Sequence, residues 1–357
     1  MERFGSILTM FSDSLKPKLM SACAAAALFG LGGLCTAATS PASSSAVVAS
    51  PSASSANTAG AAANEAVNDL LNKPSSAASD SVVSLDDAGG DTLGSAMSVF
   101  IQSTFSTDYI TPRGLHVSDK GVTWQPLTVI NMDVYSGKGL ISDVTAYGGI
   151  WQDWNTQQHI KPDGSFQEID PFVGVKTTIA KAFTLDFQYI DFISPNGSYT
   201  TEQNLSLKLS YHDTFFKNFS FNPYINPFYE VTGSSTVVTG RNGGTFDVEV
   251  GMVPTYTLAA IKNYPITITF PTWFTVGPRN FWDATGQTKN NFGVLSSGVQ
   301  LAIPLSFIPK KFGAWTAFTG FQYYNELNNN LMTASHILGT GGHRNIYVGT
   351  AGVNVFF

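Results

Sequence analysis

The sequence predicts an all-β fold, a transmembrane antiparallel β-barrel of about 12 strands. From residue 97 onward, stretches of about ten residues alternate between apolar and polar side chains, which is the period of a β-strand. Charged residues make up only 12% of the chain, while aromatic residues reach 13%. No apolar run of about 20 residues follows the N-terminal region, so the pattern does not favour helical membrane spans.

Residues 1–38 have the three parts of a secretory signal peptide. Lys16 and Lys18 precede the apolar run Leu19–Leu34, and small residues follow it, so we predict cleavage after Ala37 or Ala38. The alternative is a single membrane anchor, but the run is short and no stop-transfer charges follow it. The sequence therefore predicts export.

Both cysteines of the chain, Cys23 and Cys35, lie in or beside this N-terminal segment. Leu34 precedes Cys35, where a lipoprotein signal requires a small residue, so lipidation is not expected. The exported chain would then contain no thiol for a disulfide, a metal site or a nucleophile.

Residues 39–95 are rich in Ala and Ser and have no apolar periodicity, so we expect a largely disordered periplasmic tether. Within this segment, Ala59–Lys73 has the spacing of a short amphipathic helix. A partner-binding element is the alternative, but such a composition is typical of flexible linkers.

The predicted barrel domain, residues 96–357, contains twelve alternating stretches. The clearest is 203–212, where Leu205, Leu207 and Leu209 share one face while Ser206 and Lys208 share the other. The twelve predicted strands are 97–109, 122–135, 141–153, 169–180, 183–193, 203–212, 220–232, 246–258, 265–277, 292–306, 313–326 and 345–357.

The connections between these stretches alternate between long and short. Long external loops and short periplasmic turns are typical of outer-membrane barrels, and an even strand number places both termini in the periplasm. Proline cannot donate a hydrogen bond to a sheet, so prolines inside predicted strands indicate bulges or shifted boundaries. These prolines include Pro223, Pro227, Pro254, Pro271 and Pro304.

The C-terminal stretch Tyr347–Phe357 alternates and ends in Phe, which resembles the assembly signal of bacterial outer-membrane β-barrels of the porin-like superfamily. The segment Phe105–Gly114, together with Trp151, is similar to the first strand and loop of an uncharacterised proteobacterial barrel family, which implies no activity. The resemblance implies Sec export to the Gram-negative outer membrane. The expected partners are the lipid bilayer, the barrel assembly machinery acting on Phe357, and small solutes.

The polar faces of the predicted strands would line the lumen. This register places Asp133, Asp143, Asp186, Asp247, Glu249, Lys176 and Lys208 inside as lumen or selectivity residues, together with Asp108, Asp153 and Glu230. Unpaired buried charges are costly, so such an interior would hold water or cations. The excess of acids predicts weak cation preference, as in channels with Asp/Glu rings. The alternative is that these acids lie at strand ends, hydrated by bulk solvent, and select nothing.

The sequence offers no catalytic, metal-binding or cofactor motif. His212-Asp213 resembles half of the carboxylate–histidine pair of the omptin proteases, but it falls at the periplasmic end of its strand and is expected to be a chance surface pair. His159, His336 and His343 lie in predicted loops, far apart in sequence. We therefore expect neither an enzyme nor a cofactor.

Two functional hypotheses remain. The first is a passive, weakly cation-preferring diffusion channel for small solutes, since a twelve-stranded barrel is wide enough for a narrow hydrated lumen. The alternative is a plugged structural or interaction barrel of the cell envelope without transport activity. The net charge of −6 gives no basic surface for nucleic acid.

Overall fold

The computed structural model describes residues 97–157, 164–232, 243–261, 264–282 and 290–357. The predicted signal peptide, tether, short helix 59–73 and His159 lie outside these residues. Within them, twelve antiparallel strands form the barrel wall. In chain order they are β1 (Met97–Ser106), β4 (Thr123–Ser136), β5 (Ile141–Asn155), β6 (Phe166–Ile179), β7 (Phe183–Phe192), β8 (Glu202–Tyr211), β10 (Pro223–Thr232), β11 (Thr245–Met252), β14 (Thr272–Val276), β15 (Phe292–Pro304), β16 (Ala314–Glu326) and β17 (Asn345–Phe356).

The sheet is closed. β1 pairs with both β4 and the C-terminal β17, and β14 pairs with both β11 and β15. At the closing seam Val99 and Phe357 exchange two backbone hydrogen bonds, of 2.9 and 3.1 Å. Each predicted stretch overlaps a strand of the wall, which confirms the predicted twelve-stranded barrel.

Shorter elements complete the described structure. β2 (Tyr109–Ile110) and β3 (His116–Ser118) form a small ribbon between β1 and β4. β9 (Phe219–Ser220), β12 (Thr255–Ile261) and β13 (Tyr264–Thr269) extend the wall at the end where the short turns lie. Helices α1 (Arg279–Trp282) and α2 (Asn329–Ile337) lie in long loops, and Lys310–Phe312 forms a 3₁₀ turn.

The five prolines named above lie at strand ends, in breaks, or where one side of the ladder lacks a pairing. Pro223 begins β10, Pro304 ends β15, and Pro254 and Pro271 lie in breaks that separate β11 from β12 and β13 from β14. Pro227 pairs with Val248 on one side but has no partner in β8, where the register continues unchanged beyond it. The missing N–H of proline therefore leaves the rest of the ladder intact.

The wall has an apolar exterior and a polar interior. Large apolar side chains at outward positions are exposed, including Ile101, Phe105, Phe187, Leu207, Leu209, Ile225, Phe246, Leu295, Val299 and Phe321. Aromatic rings gather toward both ends: Trp154 stacks on Phe166 at 4.2 Å near the long loops, and Phe183 contacts Tyr211 at 5.0 Å near the short turns. An apolar band between two aromatic girdles is the surface that a transmembrane barrel presents to lipid.

This surface predicts where a charge is tolerated. Leu207, in the middle of β8, is 44% exposed on the apolar band, whereas Leu140 is 64% exposed in a short turn. Leu207→Arg should destabilise the inserted barrel by about 2–4 kcal/mol, while Leu140→Arg should cost about 0–1 kcal/mol. Urea unfolding in lipid vesicles measures both values, and equal costs would contradict the position of the band.

Candidate functional site

The inward-facing wall is polar and ionisable. Lys176, Asp186 and Lys208 occupy directly paired positions on β6, β7 and β8, so they lie side by side across the wall. The Tyr147 hydroxyl donates to Asp186 at 2.6 Å, and the Lys208 ammonium lies 4.0 Å from the centre of the Tyr224 ring. These groups are all buried. This set of lumen residues mixes both charges at one level of the barrel.

A second group of acids lies nearer the long loops. Asp153 and Glu168 are paired in register on β5 and β6, and Asp170 follows on the same face of β6. Glu202 begins β8 and Glu230 lies near the end of β10. Each is at most 2% exposed. Glu168, Asp170 and Glu202 are not among the predicted lumen residues. The predicted strands begin at 169 and 203, which leaves Glu168 and Glu202 in loops.

The remaining predicted lumen residues lie apart from these two groups. Asp133 and Asp143 sit at the short-turn rim, where they accept hydrogen bonds from Thr145 (3.1 Å) and Ser136 (3.3 Å). Bulk solvent reaches Asp133, as the alternative hypothesis expects for strand-end acids. Phe357 lies at the closing seam and is half-exposed.

The long loop between β1 and β4, residues 107–122, folds into the lumen, and we call it the plug loop. Tyr109, Leu115 and Val117 are buried in it. The Tyr109 ring packs on Trp151 at 5.6 Å, and its hydroxyl donates to Glu168 at 3.2 Å. The plug loop thereby fills the long-loop half of the lumen.

Arg113 anchors the plug loop to the wall. Its Nε donates to Asp247 at 3.2 Å, and its guanidinium lies 3.2 Å from the centre of the Phe228 ring. Both charged side chains are buried, at 3% and 1% exposure. Glu202 and Glu249 also lie within electrostatic range of the guanidinium. The sequence pattern does not reveal Arg113, because residues 110–121 lack strand periodicity and are predicted as an external loop.

A second long loop closes over the plug loop. The Ser335 hydroxyl of α2 accepts from the His116 amide at 3.1 Å and donates to Glu326 at 3.0 Å. The Thr340 hydroxyl donates to the His116 carbonyl at 2.9 Å. In the plug loop itself, His116 lies 3.2 Å from Asp108. Neutral hydrogen bonds thus join the two loops.

His212 and Asp213, the pair that resembles part of a protease site, make structural contacts at the end of β8. His212 lies 3.0 Å from the Thr184 hydroxyl, and burial lowers the pKa of its imidazole below the usual range. The Asp213 carboxylate accepts from the backbone amides of Phe221 (2.6 Å) and Asn222 (2.9 Å), which fixes the turn. Asp213 therefore serves the backbone of this turn.

Among the described residues, no group of three His, Cys, Asp or Glu side chains has the geometry to hold a metal ion. None of the described helices has the length and apolarity needed to span a bilayer.

No family model and no curated protein sequence matches the chain. Among solved structures, the β domain of the Bordetella autotransporter BrkA is 8% identical, with a TM-score of 0.36, covering 73% of this chain and 98% of that chain. The NanC porin is 10% identical (TM-score 0.37; 72% and 98% covered). An outer membrane channel of Pseudomonas putida F1 is 9% identical (TM-score 0.39; 73% and 95% covered).

The closed pairing and the two-faced wall of this chain define its class. In lipid, strands can span only when every backbone group is paired, which requires a closed barrel. Closure through β1–β17 and an apolar exterior satisfy that requirement. The protein is a membrane-spanning antiparallel β-barrel of twelve strands, as the sequence predicted.

The packing of the plug loop can be tested at Gly114. Its φ is +96°, and an added Cβ would lie 2.7 Å from the Val294 Cβ, whereas Gly197 has φ +70° and open space around it. Gly114→Ala should loosen the plug loop by about 1–3 kcal/mol beyond the backbone strain that Gly197→Ala also introduces. Trypsin cleavage after Arg113 should accelerate in the Gly114 variant alone, and equal cleavage in both variants would refute the packing.

Proposed function

We propose that the protein is an outer-membrane diffusion channel for small solutes, with weak cation preference, whose opening depends on displacement of the plug loop. The observation that supports this proposal best is the ionisable inner wall. Lys176, Asp186 and Lys208 cross its middle, where apolar side chains would fill an inert barrel more stably. Such a wall is suited to a lumen that becomes hydrated.

The balance of charge supports cation preference. The inward-facing bases of the described residues are Arg113, Lys176 and Lys208. The inward-facing acids are Asp133, Asp143, Asp153, Glu168, Asp170, Asp186, Glu202, Glu230, Asp247, Glu249 and Glu326. Carboxylates lining a hydrated pore attract cations.

The proposal includes the topology that the sequence predicts: Sec export, periplasmic termini and long loops at the cell exterior. The N-terminal segment with the parts of a signal peptide and the even strand number support it. In this orientation the plug loop would close the lumen from the outside.

A plugged interaction barrel is the second candidate. It is favoured by the apolar packing of the plug loop, since Tyr109, Leu115 and Val117 belong to the same buried cluster as Trp151 and Phe172 of the wall. In that function the plug loop would be a permanent part of the core.

Conductance in planar bilayers distinguishes the two candidates. The purified full chain, refolded in detergent, should conduct intermittently, and Arg113→Ala should raise the open fraction about tenfold or more, because it leaves Asp247 buried and unpaired in the closed state. The control is Arg279→Ala, which removes an exposed arginine of α1. A folded wild type and a folded Arg113→Ala variant that both fail to conduct would refute the channel and favour the interaction barrel.

Selectivity is a separate prediction. In a tenfold KCl gradient, the reversal potential should show cation preference, and Asp186→Asn should shift it toward anions because Lys176 and Lys208 then lack their shared acid. Asp191→Asn is the matched control on the same strand, since Asp191 alternates to the outer face and accepts from Tyr189. Equal shifts in both variants would mean that the wall does not set selectivity.

A further inference from the structure

The side chain of Arg113 occupies a recess built by three neighbouring wall strands. β8 contributes Glu202, β10 contributes Phe228, and β11 contributes Asp247 and Glu249. Asp247 accepts from the guanidinium Nε at 3.2 Å, and the Phe228 ring lies beneath its plane at 3.2 Å. Glu202 and Glu249 add two further carboxylates within electrostatic range. We call these four side chains the guanidinium recess.

We propose that the guanidinium recess is a binding site for a solute that carries a guanidinium group, and that Arg113 occupies it as a tethered competitor while the plug loop is closed. This inference rests on the proposed channel function and names its substrate class. When the plug loop leaves the lumen, Arg113 leaves the recess, and the same carboxylate and ring become available to the solute.

The chemistry of the recess fits this group. A carboxylate beside an aromatic face recognises the planar, delocalised guanidinium by hydrogen bonding and stacking together. A compact ammonium group would gain less from contact with the ring. A metal ion needs several converging ligands, and no group of three His, Cys, Asp or Glu side chains among the described residues has that geometry. The recess also holds three carboxyl groups around one guanidinium, those of Glu202, Asp247 and Glu249.

The recess has hydrogen-bonding capacity that Arg113 leaves unused. Within the described structure, the Thr245 hydroxyl and the side-chain oxygen of Asn226, both on the wall beside the recess, are buried without a hydrogen-bond partner. Thr245 and Asn226 are inward-facing neighbours of Asp247 and Glu249 in the ladder of β10 and β11. Buried polar groups are normally paired, so these two wall oxygens indicate acceptors that a guanidinium solute could use and that Arg113 does not.

Calorimetric titration of the full-length barrel in detergent tests the site. The probe is agmatine, which carries a guanidinium at one end of a four-carbon chain, and the matched ligand is 1,4-diaminobutane, which carries an amine instead. Arg113→Ala should bind agmatine about tenfold or more tightly than the wild type does, and more tightly than it binds diaminobutane. Adding Asp247→Asn to this variant should weaken agmatine binding by about tenfold or more.

The control variant is again Arg279→Ala, which should bind agmatine as the wild type does. If Arg113→Ala does not fold, as judged by heat-modifiable migration, Arg113→Gln is the second test variant, because it removes the positive charge with a smaller change in side-chain volume. Equal agmatine affinity in the wild type and the Arg113 variants, or affinity independent of Asp247, would overturn the recess as a site.

Binding and conductance separate this inference from the proposed function. If the Arg113 variants conduct but do not bind agmatine, the proposed channel function stands and the recess is overturned as its substrate site. Saturable, Asp247-dependent binding without conductance supports a guanidinium site while it refutes the channel.

Discussion

The structure depends on one constraint, which is that lipid offers no partner for a backbone N–H or C=O. The chain meets it by joining its first and last wall strands, β1 and β17, and by closing the opposite side through β14 and β15. Closure divides every strand into a lipid face and a lumen face, and this division produces the period-two sequence pattern. Proline cannot donate to this ladder, and Pro254 lies in a break between strands while Pro227 lies where one side of the ladder lacks a pairing.

A closed ring of twelve strands encloses more space than its own side chains fill, so the interior must be filled in another way. The plug loop supplies apolar residues, of which Leu115 and Val117 are fully or almost fully buried. The buried acids of the wall around it have polar partners: Asp186 accepts from Tyr147 and lies between two lysines in the ladder, and Asp247 accepts from Arg113. Burying these charges is tolerable only because each has a partner.

The strands and their facing were predictable because the period-two pattern is local. Leu207 and Lys208 are neighbours in the chain, and their opposite exposure follows from strand geometry alone.

The plug loop was not predictable in this way. The contact between Arg113 and Asp247 joins residues 134 positions apart, and the segment that carries Arg113 has no periodicity to reveal it. One feature of the sequence hinted at its burial: Ile110, Leu115 and Val117 are apolar in a segment assigned to solvent. Glu168 and Glu202 were missed for a simpler reason, since β6 and β8 begin earlier than the alternation showed.

The two kinds of contact that hold the plug loop contribute differently to closure. Burial of Tyr109, Leu115 and Val117 lowers the free energy of the closed state, because these side chains leave water. The Arg113–Asp247 pair adds little net stability, since both groups would be well hydrated in an open lumen and must be desolvated to meet. The pair instead fixes the position of the plug loop. The planar guanidinium of Arg113 has one favourable placement on the Phe228 ring, so the closed loop takes one position against the wall. A solute that offers the same group to Asp247 would remove this positional preference while leaving the apolar contacts unchanged. Opening would then still require the apolar contacts of the plug loop to break, whereas the barrel wall itself would not need to move.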